Sequence, residues 1–206
     1  MASTPDGRSP RLILASASSA RAALLRQAGI DFAIEPADID EAAIKRDYRA
    51  AGRDAAACAQ ALAEAKAKPV SARRGDALVI GADQILVSDD EWFDKPRDLA
   101  EAAAHLRRLR GRCHSLVTAC CVFRGGVALW HAVSVPELTM RPFGEAFLAG
   151  YIAAEGDAVL GSVGAYRLEG RGVQLFARID GDHFAILGLP LLELLDFLRG
   201  HGAAGE

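Results

Sequence analysis

The stretch ALVIGADQILV, residues Ala77–Val87, decides the fold of this 206-residue chain. It is apolar throughout except for Asp83 and Gln84, and such a run predicts a long buried β-strand. A carboxylate inside that strand is costly to desolvate unless it meets a cation, a metal ion or hydrogen-bond donors. Asp83 is therefore either a functional group or, because Gly81 precedes it, a turn residue between two shorter strands.

On both sides of this strand, the pattern of apolar residues and helix-ending signals predicts alternating strands and helices. Upstream we expect strand Arg11–Ala15, helix Ala20–Gln27 ending at Gly29, strand Asp31–Ile34, and an alanine-rich helix Asp54–Lys68 ended by Pro69. Downstream we expect helix 98–110 capped by Asp98, strands 115–123 and 127–138 around the turn Gly125-Gly126, helix 145–154, strand-like sequence over 166–179, and helix 189–198. The fold class is α/β with a mixed sheet, and residues 11–200 are predicted to form one domain without repeats or long linkers.

Composition limits the classes of function. The chain has 24 basic and 27 acidic side chains, so it lacks the basic excess of a general nucleic-acid coat. The four cysteines form no zinc-site spacing, which predicts reduced and mostly buried thiols. Residues 1–10 are polar with two prolines and are expected to be a disordered tail, not a signal peptide. No uncharged apolar run approaches the ~20 residues of a membrane helix, so we expect a cytoplasmic protein.

Serines follow the first predicted strand and precede a helix. Backbone N–H groups at such a helix start are free to bind an anion, and Ser16 and Ser18 could add hydroxyl groups. The alternative is that a serine only caps the helix. Arg21 favours the anion, because a cation in the first helical turn is opposed by the helix dipole unless an anion is bound nearby.

Three further charged residues complete the candidate set. Glu41 ends an acidic run, Asp38–Glu41, which is either a solvated face or helix cap or, with Asp83, a pair of oxygen ligands for Mg²⁺ or Mn²⁺. Lys66 lies near the predicted end of the alanine-rich helix, where the dipole alone would favour it. Lys95 is kept out of a helix by the proline that follows it. Each lysine alone is most simply solvated, whereas a pair facing one crevice could clamp phosphate groups.

Eight segments in order show that the chain resembles the Maf family of nucleoside triphosphate pyrophosphatases from about residue 12 to residue 198. They are LASAS at 14–18 with Arg21, DE at 40–41, LAEAKA at 62–67, GADQ at 81–84, KP at 95–96, GRCH at 111–114, GAY at 164–166 and GLPL at 188–191. The resemblance implies an elongated mixed sheet flanked by helices, with a cleft between two lobes as in inosine triphosphate pyrophosphatases. It also implies a homodimer that cleaves a nucleoside triphosphate to the monophosphate and pyrophosphate with a divalent metal.

In this resemblance Asp83 takes the position of the proton acceptor. The other polar cleft positions fall on Ser16, Arg21, Glu41, Lys66 and Lys95.

Three positions bear on the base. The branch of the family associated with dTTP and UTP usually has threonine where this chain has Gln84 and glutamine where it has Glu169. Both residues are similar instead to the 7-methyl-GTP branch. That branch tends to carry tryptophan at the position of Ala20, and alanine removes this stacking surface.

A second class of function is a nucleotide- or nucleic-acid-binding regulator of cell division with little catalysis. Its contact surface would be the basic stretch Arg107–Arg112, which has no interleaved aromatic residues and is more simply the exposed side of a helix. Nucleic acid is therefore not the expected partner. A metal-and-water geometry built from Glu41, Lys66, Asp83 and Lys95 also favours the enzyme.

Overall fold

The computed structural model describes residues 11–205, so the predicted tail at 1–10 lies outside the described residues. The strands are β1 Leu12–Leu14, β2 Ala33–Ile34, β3 Leu78–Ser88, β4 Glu91–Phe93, β5 Cys113–Arg124, β6 Val127–Ser134, β7 Glu137–Met140 and β8 Phe176–Asp180. The helices are α1 Ser19–Gln27, α2 Glu41–Ala50, α3 Ala55–Arg73, α4 Leu99–Leu109, α5 Glu145–Glu155, α6 His183–Ile186 and α7 Leu191–Gly200, with 3₁₀ segments Gly156–Gly161 and Arg171–Leu175.

The eight strands form one open mixed sheet in the order β2-β1-β3-β5-β7-β8, to which β4 adds beside β3 and β6 beside β5. Strand β1 pairs in parallel with β2 and β3, and the other pairings are antiparallel. The mixed α/β architecture predicted from the sequence is confirmed. The stretch predicted at Ala77–Val87 forms one long strand, Leu78–Ser88, so Asp83 is not a turn residue.

Alternation along β3 sends its side chains to two different helical layers. Val79 packs with the inner face of α3, whereas Leu78 and Ile80 pack with α1 and α7 on the opposite side. A third cluster fills the other end of the sheet, between its strands, α4 and α5. Asp83 follows the α3 side of this alternation and Gln84 the opposite side.

Two predicted boundaries are wrong because tertiary packing overrides local signals. Helix α3 continues through Pro69 to Arg73. The proline removes one helical hydrogen bond, but Val70 and Ser71 beyond it are fully buried, and Ser71 Oγ accepts a 2.9 Å hydrogen bond from the Gly126 N–H. The predicted strand 127–138 divides into β6 and β7 around Pro136, which cannot donate to a ladder.

Two further segments differ from the prediction. Of the strand-like sequence 166–179 only Phe176–Asp180 forms a strand, because the chain folds back so closely at Gly172 that a Cβ there would overlap the backbone of Arg167. Helix α2 was not predicted, and the acidic run before it proves to contain its cap: Asp40 Oδ1 accepts a 2.9 Å hydrogen bond from the Ala43 N–H.

The remaining helices begin and end close to their predicted limits. Asp98 caps α4, with the Glu101 N–H donating to its carboxylate at 2.8 Å. All four cysteines are free, and only Cys113 is exposed. Within residues 11–205, no helix is long and apolar enough to cross a membrane.

Candidate active site

A cleft of about 650 Å³ collects every residue of the candidate set. The serine turn, α2, and charged residues of α3, β3 and the β4–α4 loop line this cleft. Residues from the segments 158–169 and 186–188 also line it. The cleft thus brings together candidate residues that lie up to 153 positions apart in the sequence, from Ser16 to Glu169.

A buried ion-pair cluster lies in this cleft. Lys66 Nζ is 2.5 Å from Asp83 Oδ1 and 2.9 Å from Glu41 Oε1, so one ammonium joins the two carboxylates. Asp83 and Lys66 are 5% and 8% exposed. Lys66 is in the middle of α3, not near its end, and the helix dipole therefore does not explain it.

The second oxygen of Asp83 is the unusual feature of the cluster. Asp83 Oδ2 is buried and has no hydrogen-bond partner among the residues that the structure describes. A buried carboxylate oxygen without a partner carries a desolvation cost that a ligand would offset. Asp83 Oδ2 is therefore a candidate contact for a water, a metal ion or a substrate group.

Electrostatics favour the ionised form of Glu41. Burial raises the pKa of Glu41, but Lys66, followed by Lys45 and Lys95, outweighs it, and the resulting pKa lies below the ordinary value. Partial burial, with the nearby Arg21, lowers the pKa of Lys95. These directions place Glu41 ionised at neutral pH with cations on either side.

The serine turn both caps α1 and positions Arg21. Ser18 Oγ accepts from the Arg21 N–H at 3.3 Å, which confirms the cap. Ser16 Oγ accepts from Arg21 Nη1 at 3.1 Å, and Arg21 Nε donates to the Gly188 carbonyl at 2.9 Å. The N–H groups of Ser19 and Ala20 have no partner within residues 11–205, so the turn retains donors for an anion.

The three positions associated with base choice also line the cleft. Both amide hydrogens of Gln84 are engaged, since Nε2 lies 2.8 Å from Thr118 Oγ1, 2.9 Å from the Ala185 carbonyl and 3.1 Å from the Ile186 carbonyl. What Gln84 retains for a ligand is its carbonyl oxygen. Glu169 is exposed and pairs with Arg167 Nε at 3.2 Å. Ala20 is half-buried, and its methyl group offers no aromatic surface on which a base could stack.

Sequence reasoning missed three charged residues of the cleft on the α2 side: Lys45, Arg49 and Asp94. Lys45 Nζ is 2.7 Å from Asp94 Oδ1, and Arg49 Nη2 is 3.6 Å from Asp94 Oδ2. Glu41, Lys45 and Arg49 recur every four residues, which is the spacing of one helical face. This signal could have been used only if α2 had been predicted.

The donor set fits a hard divalent cation that keeps several waters. No group of three or more His, Cys, Asp and Glu side chains converges among residues 11–205, so a complete protein cage is absent there. Mg²⁺ in nucleotide enzymes commonly uses one or two carboxylates with substrate phosphates and water. Glu41 and the unpartnered Asp83 Oδ2 supply two such oxygens.

The fold is α/β, and its cleft carries more cationic than anionic side chains. Six cationic side chains line the cleft: Arg21, Lys45, Arg49, Lys66, Lys95 and Arg167. Four anionic side chains also line it: Glu41, Asp83, Asp94 and Glu169.

The family model described as Maf-like protein matches residues 11–201, and the chain belongs to this family. A nucleoside triphosphate pyrophosphatase of Granulibacter bethesdensis is 56% identical over 94% of this chain and 98% of its own length. A nucleoside triphosphate pyrophosphatase of Paramagnetospirillum magneticum is 53% identical over 92% and 98%. A 7-methyl-GTP pyrophosphatase of Rhizobium meliloti is 50% identical over 94% and 98%.

Proposed function

We propose that this protein is a nucleoside triphosphate pyrophosphatase, which hydrolyses the bond between the α and β phosphates to give a nucleoside monophosphate and pyrophosphate. Relatives at 50–56% identity over nearly the whole chain carry this name or the name 7-methyl-GTP pyrophosphatase. The corresponding biological role is removal of unwanted nucleotides from the pool.

The observation that carries the proposal is the buried cluster of Asp83, Lys66 and Glu41, with Asp83 Oδ2 unpartnered. A protein that only bound nucleotides would gain nothing from a buried carboxylate held next to an anionic ligand. A hydrolase gains a group that can orient a water and accept its proton.

The roles of the residues follow from their contacts. Lys66 fixes the Asp83 carboxylate, which orients and deprotonates the water that attacks phosphorus. Lys66, Lys95 and Arg21 stabilise the negative charge that develops on the pyrophosphate leaving group. Ser16, Ser18 and the free N–H groups after them bind phosphate oxygens.

We infer that Mg²⁺ or Mn²⁺ assists the reaction, held by Glu41 and Asp83. When bound, such an ion neutralises phosphate charge and lowers the pKa of a coordinated water. Lys66 lies between the same two carboxylates, so it holds them together when no other cation is present.

Base choice is inferred from Gln84, Glu169 and Ala20. The carbonyl of Gln84 and the carboxylate of Glu169 are acceptors and suit the N–H groups on the edge of a guanine. The proposed substrate is therefore a purine nucleotide such as 7-methyl-GTP, in preference to dTTP or UTP. We also infer, from the resemblance to the family and from the sequence, a single domain over residues 11–200, a homodimer and a cytoplasmic location.

The contacts of the basic stretch do not favour a nucleic-acid-binding regulator. Arg107 and Arg110 pair with Glu145 at 2.9 and 3.0 Å, Arg112 pairs with Asp89 at 2.5 Å, and Arg108 pairs with Glu91. Arginines with acidic neighbours offer little net charge to a phosphate backbone.

The test is a panel of standard and modified triphosphates, assayed with Mg²⁺ and with Mn²⁺ for pyrophosphate and, separately, for orthophosphate. We expect pyrophosphate as the product, with 7-methyl-GTP cleaved faster than dTTP and UTP. Orthophosphate release would contradict the bond assigned. Faster cleavage of dTTP and UTP would contradict the assignment of Gln84 and Glu169 while leaving the activity intact.

A further inference from the structure

Helix α2 carries charged side chains whose position the proposed roles do not explain. Glu41, Lys45 and Arg49 lie one helical turn apart and all line the cleft. Of these only Glu41 contacts Lys66 and so belongs to the catalytic cluster. Lys45 and Arg49 lie farther along the helix.

Lys45 is held in a largely buried position. Its side chain is 12% exposed, and its ammonium contacts Asp94 at 2.7 Å, whereas the Asp94 side chain is 56% exposed. Arg49 Nη2 donates to the Trp92 carbonyl at 3.2 Å, and its guanidinium lies 5.1 Å from the centre of the Trp92 ring. These contacts hold both cations against β4 and the loop after it and leave some of their N–H donors free.

The charges on this side of the cleft do not balance. Lys45 and Arg49 share one carboxylate, that of Asp94, and Lys95 follows it in sequence. Among the residues described, Lys95 forms no ion pair within 4 Å, and its pKa is lowered by partial burial and by neighbouring cations. Lys45 and Arg49 thus share a single half-exposed carboxylate, and this excess of positive charge attracts a further anion.

The direction of the sheet indicates which anion this is. Gln84, associated with the base, points to the α6 side, whereas Asp83 points to α3 and the cluster that joins α3 to α2. A triphosphate with its reacting phosphorus at Asp83 and its base near Gln84 extends its outer phosphates towards α2. The cations met in that direction are Lys45, Arg49 and Lys95.

We propose that Lys45 and Arg49 form the binding subsite for the β and γ phosphates, and hence for the departing pyrophosphate. This inference rests on the proposed function. Asp94 partly neutralises both cations before the phosphates arrive, and the phosphates then take up the N–H donors of Lys45 that Asp94 leaves free.

The experiment is calorimetric binding of inorganic pyrophosphate, in the presence of Mg²⁺, to the full-length protein and its variants. Lys45→Ala and Arg49→Ala are each expected to weaken binding about tenfold or more, since each removes a charge-assisted contact. Lys45→Arg is expected to retain most of the affinity. The control is Arg46→Ala on the same helix, whose side chain is 71% exposed and pairs only with Asp47, and it should change the affinity less than about twofold.

A merely structural role for the Lys45–Asp94 pair is tested with Asp94→Asn. If the pair only fastens α2, then Lys45→Ala and Asp94→Asn weaken pyrophosphate binding equally. If the subsite is real, Asp94→Asn leaves binding unchanged or tightens it, because it removes a negative charge beside the anion. Equal weakening, no effect of Lys45→Ala, or no pyrophosphate binding by the wild type would each overturn the proposal.

Binding of pyrophosphate needs no turnover, so the two proposals can fail separately. If the protein binds pyrophosphate through Lys45 and Arg49 but hydrolyses no triphosphate, the subsite proposal stands and the proposed enzymatic function is wrong. If the protein hydrolyses triphosphates and both alanine variants bind pyrophosphate with unchanged affinity, the proposed function stands and the subsite proposal is wrong.

Discussion

Asp83 and Gln84 are adjacent in β3, yet their side chains leave the sheet on opposite faces. Asp83 contacts Lys66 of α3, and Gln84 contacts backbone carbonyls of α6. In the proposed function one dipeptide therefore serves two parts of the cleft, the reacting phosphate and the base, because side chains alternate along a strand with a period of two residues. A one-residue slip of β3 would exchange the two roles.

Gly188 is the residue that allows Arg21 to approach the α6–α7 turn. Its φ is +113°, and a Cβ there would lie 3.2 Å from Arg21 Nε. We expect Gly188→Ala to destabilise the protein by about 1–3 kcal/mol through backbone strain, and to raise the KM for the triphosphate because Arg21 is displaced. Urea unfolding and steady-state kinetics measure the two effects.

The control for that variant is Gly150→Ala in α5, where an added Cβ meets no heavy atom within 4 Å. This change should stabilise the helix by up to about 1 kcal/mol and leave KM unchanged. Equal stability and KM for Gly188→Ala and wild type would contradict the role of Gly188.

His114 should make the stability depend on pH. It is 2% exposed, Nε2 lies 2.9 Å from the Tyr166 hydroxyl, and burial lowers its pKa from 6.5 to about 4. The unfolded chain therefore binds the proton more readily, and the stabilisation present above pH 6.5 is lost as the pH falls towards 4. The loss attributable to this residue is about 3 kcal/mol.

The measurement is the free energy of unfolding from pH 7 to pH 4 for wild type and His114→Gln. Carboxylates titrate in both proteins, so the difference between the two curves isolates the histidine. The variant should lose less stability over this range. Parallel curves would contradict the assignment.

At the scale of elements, the packing of α3 on β3 brings Lys66 to Asp83. Ala59, Ala63 and Ala67 recur every four residues on the buried face of α3, and Gly81 of β3 lies against Ala63 and Ala67. These small residues let the helix backbone come close to the strand. A larger side chain at this contact would lift the helix and carry Lys66 away from Asp83.

Gly81→Ala tests this packing. The added Cβ would overlap the carbonyl oxygen of Ala63 and lie 2.8 Å from Ala67 Cβ, and backbone cannot move aside as a flexible side chain can. We expect a loss of about 3 kcal/mol in unfolding free energy and a lower kcat. The matched change Gly75→Ala, with no heavy atom within 4 Å, should stay within about 0.5 kcal/mol. Similar stabilities for the two variants would contradict the close approach.

Several elements and the candidate set could be predicted from the sequence because their signals are local. The apolar run of β3 and the caps Ser18 and Asp98 lie within the segments they define. The continuation of α3 past Pro69 could not be predicted in this way, because it depends on burial against β5 and on a bond from Gly126. The Lys45–Asp94 pair joins residues 49 apart, which no local pattern reveals.

At the scale of the molecule, the charge of the cleft differs in sign from that of the chain. The chain has a formal net charge of −3, whereas the cleft is lined by six cationic and four anionic side chains. Positive potential is thereby concentrated where the proposed triphosphate would bind. Outside the cleft, the arginines of the basic stretch are paired with acidic side chains.

The account rests most directly on Asp83, and the decisive measurement is pyrophosphate release by Asp83→Asn with Mg²⁺ or Mn²⁺. Asparagine keeps the size of the side chain and its contact with α3 but cannot accept the proton of the attacking water. We predict a protein that still unfolds cooperatively and releases pyrophosphate at least about 100-fold more slowly, whereas the control Asp157→Asn, in the 3₁₀ segment after α5, keeps wild-type activity. Pyrophosphate release by Asp83→Asn at nearly the wild-type rate would contradict the account.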